Sequence, residues 1–238
     1  MTSALTMSQP SLAQTGGAGQ SAWYMYLGDH PITDHWGVHL ETQIRREPWV
    51  EAPEQSLTRV GVNYKPFHGW TFRPGYTYVR GYSPESTDAS KIRHTIFEDI
   101  EWSKKLTHVK LGQRLRFEQS FSGDRDQADD VLDWDFRERG RYRLMAEIPA
   151  FTPTKGPLPD YYSLYDEVAL RFGAHNEGRT FDQNRAYGAL GWNLNESFQL
   201  ELGYLRQSLP LANGVIGTQN NAFQLSINSK LPFRRGLK

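Results

Sequence analysis

The chain lacks cysteine, lacks net charge, and lacks any apolar run near the ~20 residues that a membrane-spanning helix needs, and each absence narrows what it can be. Without a long apolar run it is not a helical membrane protein. Its mean hydropathy of −0.65 does not argue against a β-barrel, because averaging over strands with alternating faces hides a lipid-facing half. Zero cysteines exclude a disulfide scaffold and agree with an envelope protein folded without bridges, or with a cytosolic one. Lysine plus arginine (27) equals aspartate plus glutamate (27), so charge gives no reason to expect nucleic acid or an acidic partner. The first twenty residues also lack the basic start and apolar core of a secretory signal, although Ser11-Leu12-Ala13 before Gln14 resembles the end of a cleavage site. Residues 1–21 read as a disordered tail or the remnant of a signal peptide. No Ser/Gly/Pro-rich linker divides the middle, so 22–233 read as a single β-barrel domain, followed by a short tail at 234–238.

What is present is alternation. From Phe136 to Ala146, four arginines (Arg137, Arg139, Arg141, Arg143) occupy every second position with mostly apolar or small residues between them, a strand with charge on one face and apolar side chains on the other. The pattern recurs: Val109, Leu111, Leu115, Phe117 and Phe121 oppose Lys110, Arg114, Arg116, Glu118 and Ser120, with Gln113 and Gln119 breaking the apolar side. Phe198, Leu200, Leu202 and Tyr204 oppose Gln199, Glu201, Gly203 and Gln207, and comparable pairs of faces run through 36–45 and 223–228. Aromatics make up 13% of the chain, with 7 Trp and 12 Tyr, as the aromatic girdles of a membrane barrel require.

Candidate strands are 35–46, 56–66, 69–82, 91–103, 107–121, 136–149, 161–173, 182–194, 197–209 and 221–231, longer than the ~5–6 residues usual in globular sheets. Short connections at 67–68, 104–106 and 195–196 alternate with longer ones at 47–55, 83–90, 122–135 and 210–220, while the stretch 150–160 falls where a short one is due. The fold class expected is all-β, a closed antiparallel transmembrane β-barrel of about ten long strands, with twelve as the alternative. A short strand at 22–27 is expected to turn onto 35–46 through Gly28-Asp29-His30-Pro31. The charged faces would then line a lumen: Arg45, Arg59, Arg73, Arg93, Arg114, Arg116, Arg137, Arg139, Arg141, Arg143, Arg171 and Arg185 against Glu41, Asp99, Glu101, Glu118, Glu147, Glu167 and Glu201. Arginine fits this role because its planar fork holds two carboxylates on neighbouring strands while keeping its charge.

Several of these fragments, in this order, resemble the bacterial outer-membrane β-barrel family catalogued as domain of unknown function 2490. They are Ala22-Trp23-Tyr24 with Gly28, Glu41-Thr42-Gln43-Ile44-Arg45, Arg59-Val60-Gly61-Val62-Asn63-Tyr64, Gly75-Tyr76-Thr77-Tyr78, Arg114-Leu115-Arg116-Phe117-Glu118-Gln119, Arg139-Gly140-Arg141-Tyr142-Arg143, Tyr165-Asp166-Glu167-Val168, Phe181-Asp182-Gln183-Asn184-Arg185 and Gly203-Tyr204-Leu205. The likeness spans about 22–231 and implies a barrel in the outer membrane of a Gram-negative envelope, with no established activity. One departure is at the end: such barrels usually close on a terminal aromatic, whereas Phe233 is followed by five residues.

No enzyme is expected. The seven histidines (His30, His35, His39, His68, His94, His108, His175) include several read as turn residues near acids, and no serine sits in a G-x-S-x-G elbow. The acidic stretch from Ser122 to Asp135 lacks the spacing of an EF-hand loop, so no metal and no cofactor are expected. The function expected is a structural envelope protein or a narrow arginine-lined channel for small anionic solutes. The alternatives are a barrel hydrolase acting on membrane lipid from its rim, and a soluble lipocalin-like binding barrel. Expected partners are outer-membrane lipid, lipopolysaccharide and the barrel-insertion machinery, with no nucleic acid and the oligomeric state open.

Overall fold

In the computed structural model, which describes residues 19–47, 52–82, 89–125, 131, 133–150, 157–173, 180–210 and 216–233, the alternating segments form eleven strands. These are β1 (Gly19–Pro31), β2 (Trp36–Glu47), β3 (Ala52–Tyr64), β4 (Trp70–Tyr82), β5 (Ala89–Lys105), β6 (Lys110–Asp124), β7 (Asp135–Pro149), β8 (Tyr161–Phe172), β9 (Phe181–Asn193), β10 (Phe198–Pro210) and β11 (Ile216–Ser229). Each pairs antiparallel with the next, and β1 pairs with β11 to close a barrel. The ten expected strands all form, with ends moved by up to five residues. The connection 48–51 is shorter than expected because β3 begins at Ala52 rather than 56.

The expected strand count of ten or twelve and the purely antiparallel closure are both corrected by β1. It is a full wall strand of 13 residues, not a short one, because Gly28-Asp29-His30-Pro31 is strand rather than turn. Reversal happens at 32–35, where the backbone N–H groups of Ile32 and Thr33 both donate to the Trp36 carbonyl at 2.9 Å and the Thr33 hydroxyl accepts from the Trp36 N–H at 2.9 Å. Adding one strand to an up-and-down set of ten makes the first and last strands run the same way. Closure between them must then be parallel, as the register from Gly19↔Asn220 to Gly28↔Ser229 shows. An odd count departs from the even numbers of bacterial single-chain barrels.

One end of the barrel carries the turns 32–35, 65–69, 106–109 and 194–197, together with 150–160; it is called the turn end below. Here the chain beyond β11 is tied to β1: the Phe233 N–H donates to the Pro31 carbonyl at 3.0 Å and its ring stacks on His30 at 4.2 Å. His30 itself bonds through Nδ1 to the Leu231 carbonyl at 2.8 Å. Of the residues 1–21 that sequence reading set apart as a tail, Gly19, Gln20 and Ser21 belong to β1, where they pair with β11; residues 1–18, and the tail 234–238, lie outside the described residues.

Four register shifts mark bulges in β3, β5, β9 and β11, all near the end opposite the turns. Bulges concentrate at barrel rims, where they re-aim side chains. Along the rest of each strand the period of two holds. Ile44, Val60, Val62, Ile96, Ile100, Leu115, Leu144, Leu164, Leu202 and Ile227 are exposed on the outer face, and the polar and charged residues point in.

Close packing of the inner face depends on glycine where a ring lies flat on the wall. Phe97 is 0% exposed, paired opposite Gly75 and flanked by the guanidinium carbons of Arg116 and Arg59, 4.6 and 5.2 Å from its ring centroid. A Cβ at Gly75 would overlap both the Phe97 ring and the Val60 carbonyl, and the backbone atom cannot yield. Gly75→Ala is expected to destabilise the barrel by about 1–3 kcal/mol through overpacking, read as a lower urea midpoint of the refolded chain. An unchanged midpoint would mean that Phe97 is not seated on the wall.

Candidate functional site

The inward faces enclose a cavity of roughly 450 Å³ that reaches from Lys110 and Lys230 at the turn end to Arg93 and Arg139 towards the other. Of the ladder expected from sequence, Arg45, Arg59, Arg114, Arg116, Glu118, Arg139, Arg141, Arg143, Glu147, Arg185 and Glu201 line it. Glu167 does not, because it lies beneath its arginines with its side chain fully buried. Arg137 is half exposed at the start of β7, paired with Asp135 at 2.6 Å, and Arg171 is held on Asp182 at 2.5 Å. Both stand outside the cavity because parity predicts a face, not where along the strand the lumen ends.

Carboxylates anchor the arginines in groups that cross several strands. Glu167 on β8 receives Arg143 at 3.0 Å, Arg114 at 2.5 Å and Arg141 through a still closer contact. Glu118 on β6 receives Arg139 at 2.6 Å and Arg141 at 2.9 Å, so Arg141 bridges the two acids. Asp99 accepts both Nε and Nη2 of Arg116, at 2.5 and 2.6 Å, a two-point grip that fixes the guanidinium plane. At the turn end Arg73 reaches Glu101 at 2.7 Å, Asp29 at 3.1 Å and Asp99 at 3.2 Å. Arg59 pairs with Glu41 and donates from Nε to the Thr77 hydroxyl at 2.8 Å. Glu201 instead accepts from two phenols, Tyr161 at 3.1 Å and Tyr187 at 3.3 Å.

Pairing is incomplete. Twelve cationic and six carboxylate side chains line the cavity, with Asp99, Glu167 and Asp182 behind them. The remaining wall, from β9 through β11 to β1, is uncharged over much of its area: Trp23, Tyr187, Ala189, Leu205 and Ala222 form one buried cluster, with Met25 and Tyr165 against it. The lumen therefore has a charged side and an apolar, small-residue side.

Several lumenal residues were not foreseen. Asp29 was assigned to a turn, yet it stands in the wall, where His39, buried on the polar face of β2 as its parity predicts, bonds it at 2.8 Å and Asn63 holds the same oxygen at 2.9 Å. His30 is likewise buried within β1 rather than in a turn. Asp182 has the parity of an outward residue; it is the extra residue of the β9 bulge, with Ala169 opposite Gln183 and Leu170 opposite Phe181. The bulge turns it in, where it meets Arg139 at 2.8 Å. Glu54 stands in the same relation to the bulge in β3. No alternation reveals such residues, because a bulge breaks the period on which the reading rests. The acidic residues 126–130 lie outside the described residues.

No curated protein matches the chain. Among solved structures, the barrel is similar to the NanC porin in its rhombohedral crystal form, with a TM-score of 0.50 and 12% identity over 89% of this chain and 98% of that one. At that identity the likeness is one of fold, a porin-like β-barrel. The model of the family described as "Protein of unknown function (DUF2490)" matches residues 20–218, most of the chain and all but the end of the barrel, and this protein belongs to that family.

Proposed function

We propose that the protein is an outer-membrane barrel whose lumen is a narrow path for small anionic solutes. The observation that carries this reading is the cavity between Lys110 and Arg93, lined by twelve cationic and six carboxylate side chains and still cation-rich when Asp99, Glu167 and Asp182 behind its wall are counted. A low-dielectric wall strengthens the field of unbalanced charge, so such a lumen favours anions over cations. Membrane placement is supported by the inverted faces, apolar outside and charged inside, which a soluble binding barrel would reverse. Exposed aromatics support it further. Trp36, Tyr64, Trp70, Tyr162 and Phe233 cluster outside near the turn end, and Tyr76, Phe121, Trp134 and Phe172 towards the other, as two interfacial girdles would. From Trp36 to Ile44 is about 27 Å along the strand, or about 21 Å at a tilt of ~40°, close to the ~25 Å apolar band of such barrels.

Single-channel recording of the refolded full-length chain in a planar bilayer tests the proposal. Small, stable conductance steps with a reversal potential favouring chloride over potassium are expected. Arg93 is the residue to invert, since it lines the cavity without a carboxylate inside ion-pair distance among the described residues. Arg93→Glu is expected to lower the chloride preference severalfold without unfolding the barrel. Electrical silence from a correctly inserted, heat-modifiable barrel would replace the channel with a scaffold closed by its own ion pairs, and cation selectivity would refute the anion path.

A further inference from the structure

Two of the arginines without a close carboxylate meet at one place. Trp23 is 3% exposed and has two guanidinium groups around its ring, Arg45 at 3.8 Å and Arg185 at 5.6 Å from the centroid. Neither arginine has a carboxylate within 4 Å among the described residues, although Arg45 Nη2 donates to Gln43 Oε1 at 3.0 Å; Glu54 acts on both from farther away, as do Glu41 on Arg45 and Glu167 on Arg185, and Arg141 acts on both as a like charge. Four buried donors in this stretch lack an acceptor: Trp23 Nε1, Arg45 Nε, Arg185 Nε and Gln183 Nε2. Gln183 is 4% exposed, two residues from Arg185 on the same face of β9, and its carbonyl is already occupied by the Gln207 amide. Only its N–H groups remain to offer. All four side chains line the cavity.

Two cations beside one ring, with orphaned donors and no close acid, form a site that is costly empty and favourable with an anion in it. We propose that Trp23, Arg45, Arg185 and Gln183 form a binding subsite for the carboxylate group of a small organic anion. A planar carboxylate matches the guanidinium fork through two parallel hydrogen bonds, which a spherical halide cannot form. The neutral amides of Gln207 and Gln224, also on the cavity wall, offer donors and acceptors to an uncharged polar body attached to it. The subsite rests on the reading of the lumen as an anion path, and it names the class of anion and where it pauses.

Gluconate, a carboxylate bearing hydroxyls, is a direct probe. Calorimetric titration of the refolded full-length barrel in detergent micelles with sodium gluconate is expected to give saturable binding in the millimolar range, absent with sodium chloride. Arg45→Gln with Arg185→Gln is expected to weaken it at least tenfold, and the charge-preserving pair Arg45→Lys with Arg185→Lys to weaken it as well, because the fork is lost. Saturable binding that is missing from the folded native chain, or unchanged in both double variants, overturns the subsite. Bilayer recording separates the two readings. Chloride conductance without gluconate binding keeps the path and removes the subsite, whereas Arg45- and Arg185-dependent binding to a silent barrel keeps the subsite and removes the path.

Discussion

Replacing Glu167 by glutamine is expected to lower the stability of the refolded barrel by about 3–5 kcal/mol, the cost of removing one partner from a buried ion pair. Glutamine keeps the size and shape of the side chain, so no cavity forms and the loss is electrostatic. Arg114, Arg141 and Arg143 all point at this one carboxylate, which has no exposed surface. Without it, three guanidinium groups repel one another on one inner surface, and only Arg141 retains another acid, Glu118. Combining Glu167→Gln with Arg141→Met should recover part of the loss, because removing a cation together with its acid relieves the repulsion. Urea unfolding of the three variants against the native chain measures the coupling. A loss below about 1 kcal/mol, the ordinary worth of an exposed pair, would mean that lumen water screens these charges and that they are not a structural network.

The second large effect is on the outside. Leu115 lies mid-strand on β6 and is 54% exposed. On the membrane reading, Leu115→Arg should cost about 2–4 kcal/mol when folding is measured into lipid bilayers, because a cation at the midplane has no water. Leu106, in the turn 106–109, provides the control, since the same substitution near the interface should cost about 0–1 kcal/mol. For a barrel in water both positions are merely exposed surface, and both changes should stay within about 0.5 kcal/mol. Depth dependence, more than the size of either value, therefore separates a membrane barrel from a soluble one. Equal small costs at Leu115 and Leu106 would sink the membrane reading.

Most of the wall was legible in the residues. Strands such as 136–149 and 161–173 appear nearly as drawn because one face is charged and the other apolar, and shifting such a strand by one residue would put every side chain on the wrong face. Arg114, Arg116, Arg139, Arg141 and Arg143 point into the lumen for the same reason. Legibility failed where the period was interrupted. Gly28, Asp29 and Pro31 have turn-forming composition, but Asp29 is held in the wall by His39, Asn63 and Arg73, contacts with residues 10, 34 and 44 positions away that outweigh local propensity. Asp182 was hidden by its bulge, and Arg137 has the right parity at the wrong height.

By itself the sequence determined a barrel-forming set of long amphipathic strands with arginine on one face, because side-chain direction along a strand is a local property of the backbone. Only the tertiary structure decided how that set closes and where its charge is left over. Closure through β1 and β11 joins residues some two hundred positions apart, and it brings Trp23 and Arg45 together with Arg185. The pairing of Arg114 with Glu167, 53 positions apart and two strands away, likewise exists only once the sheet has curved. Which arginines are neutralised, and which remain free to meet an anion, follows from distances across the lumen that no local pattern encodes.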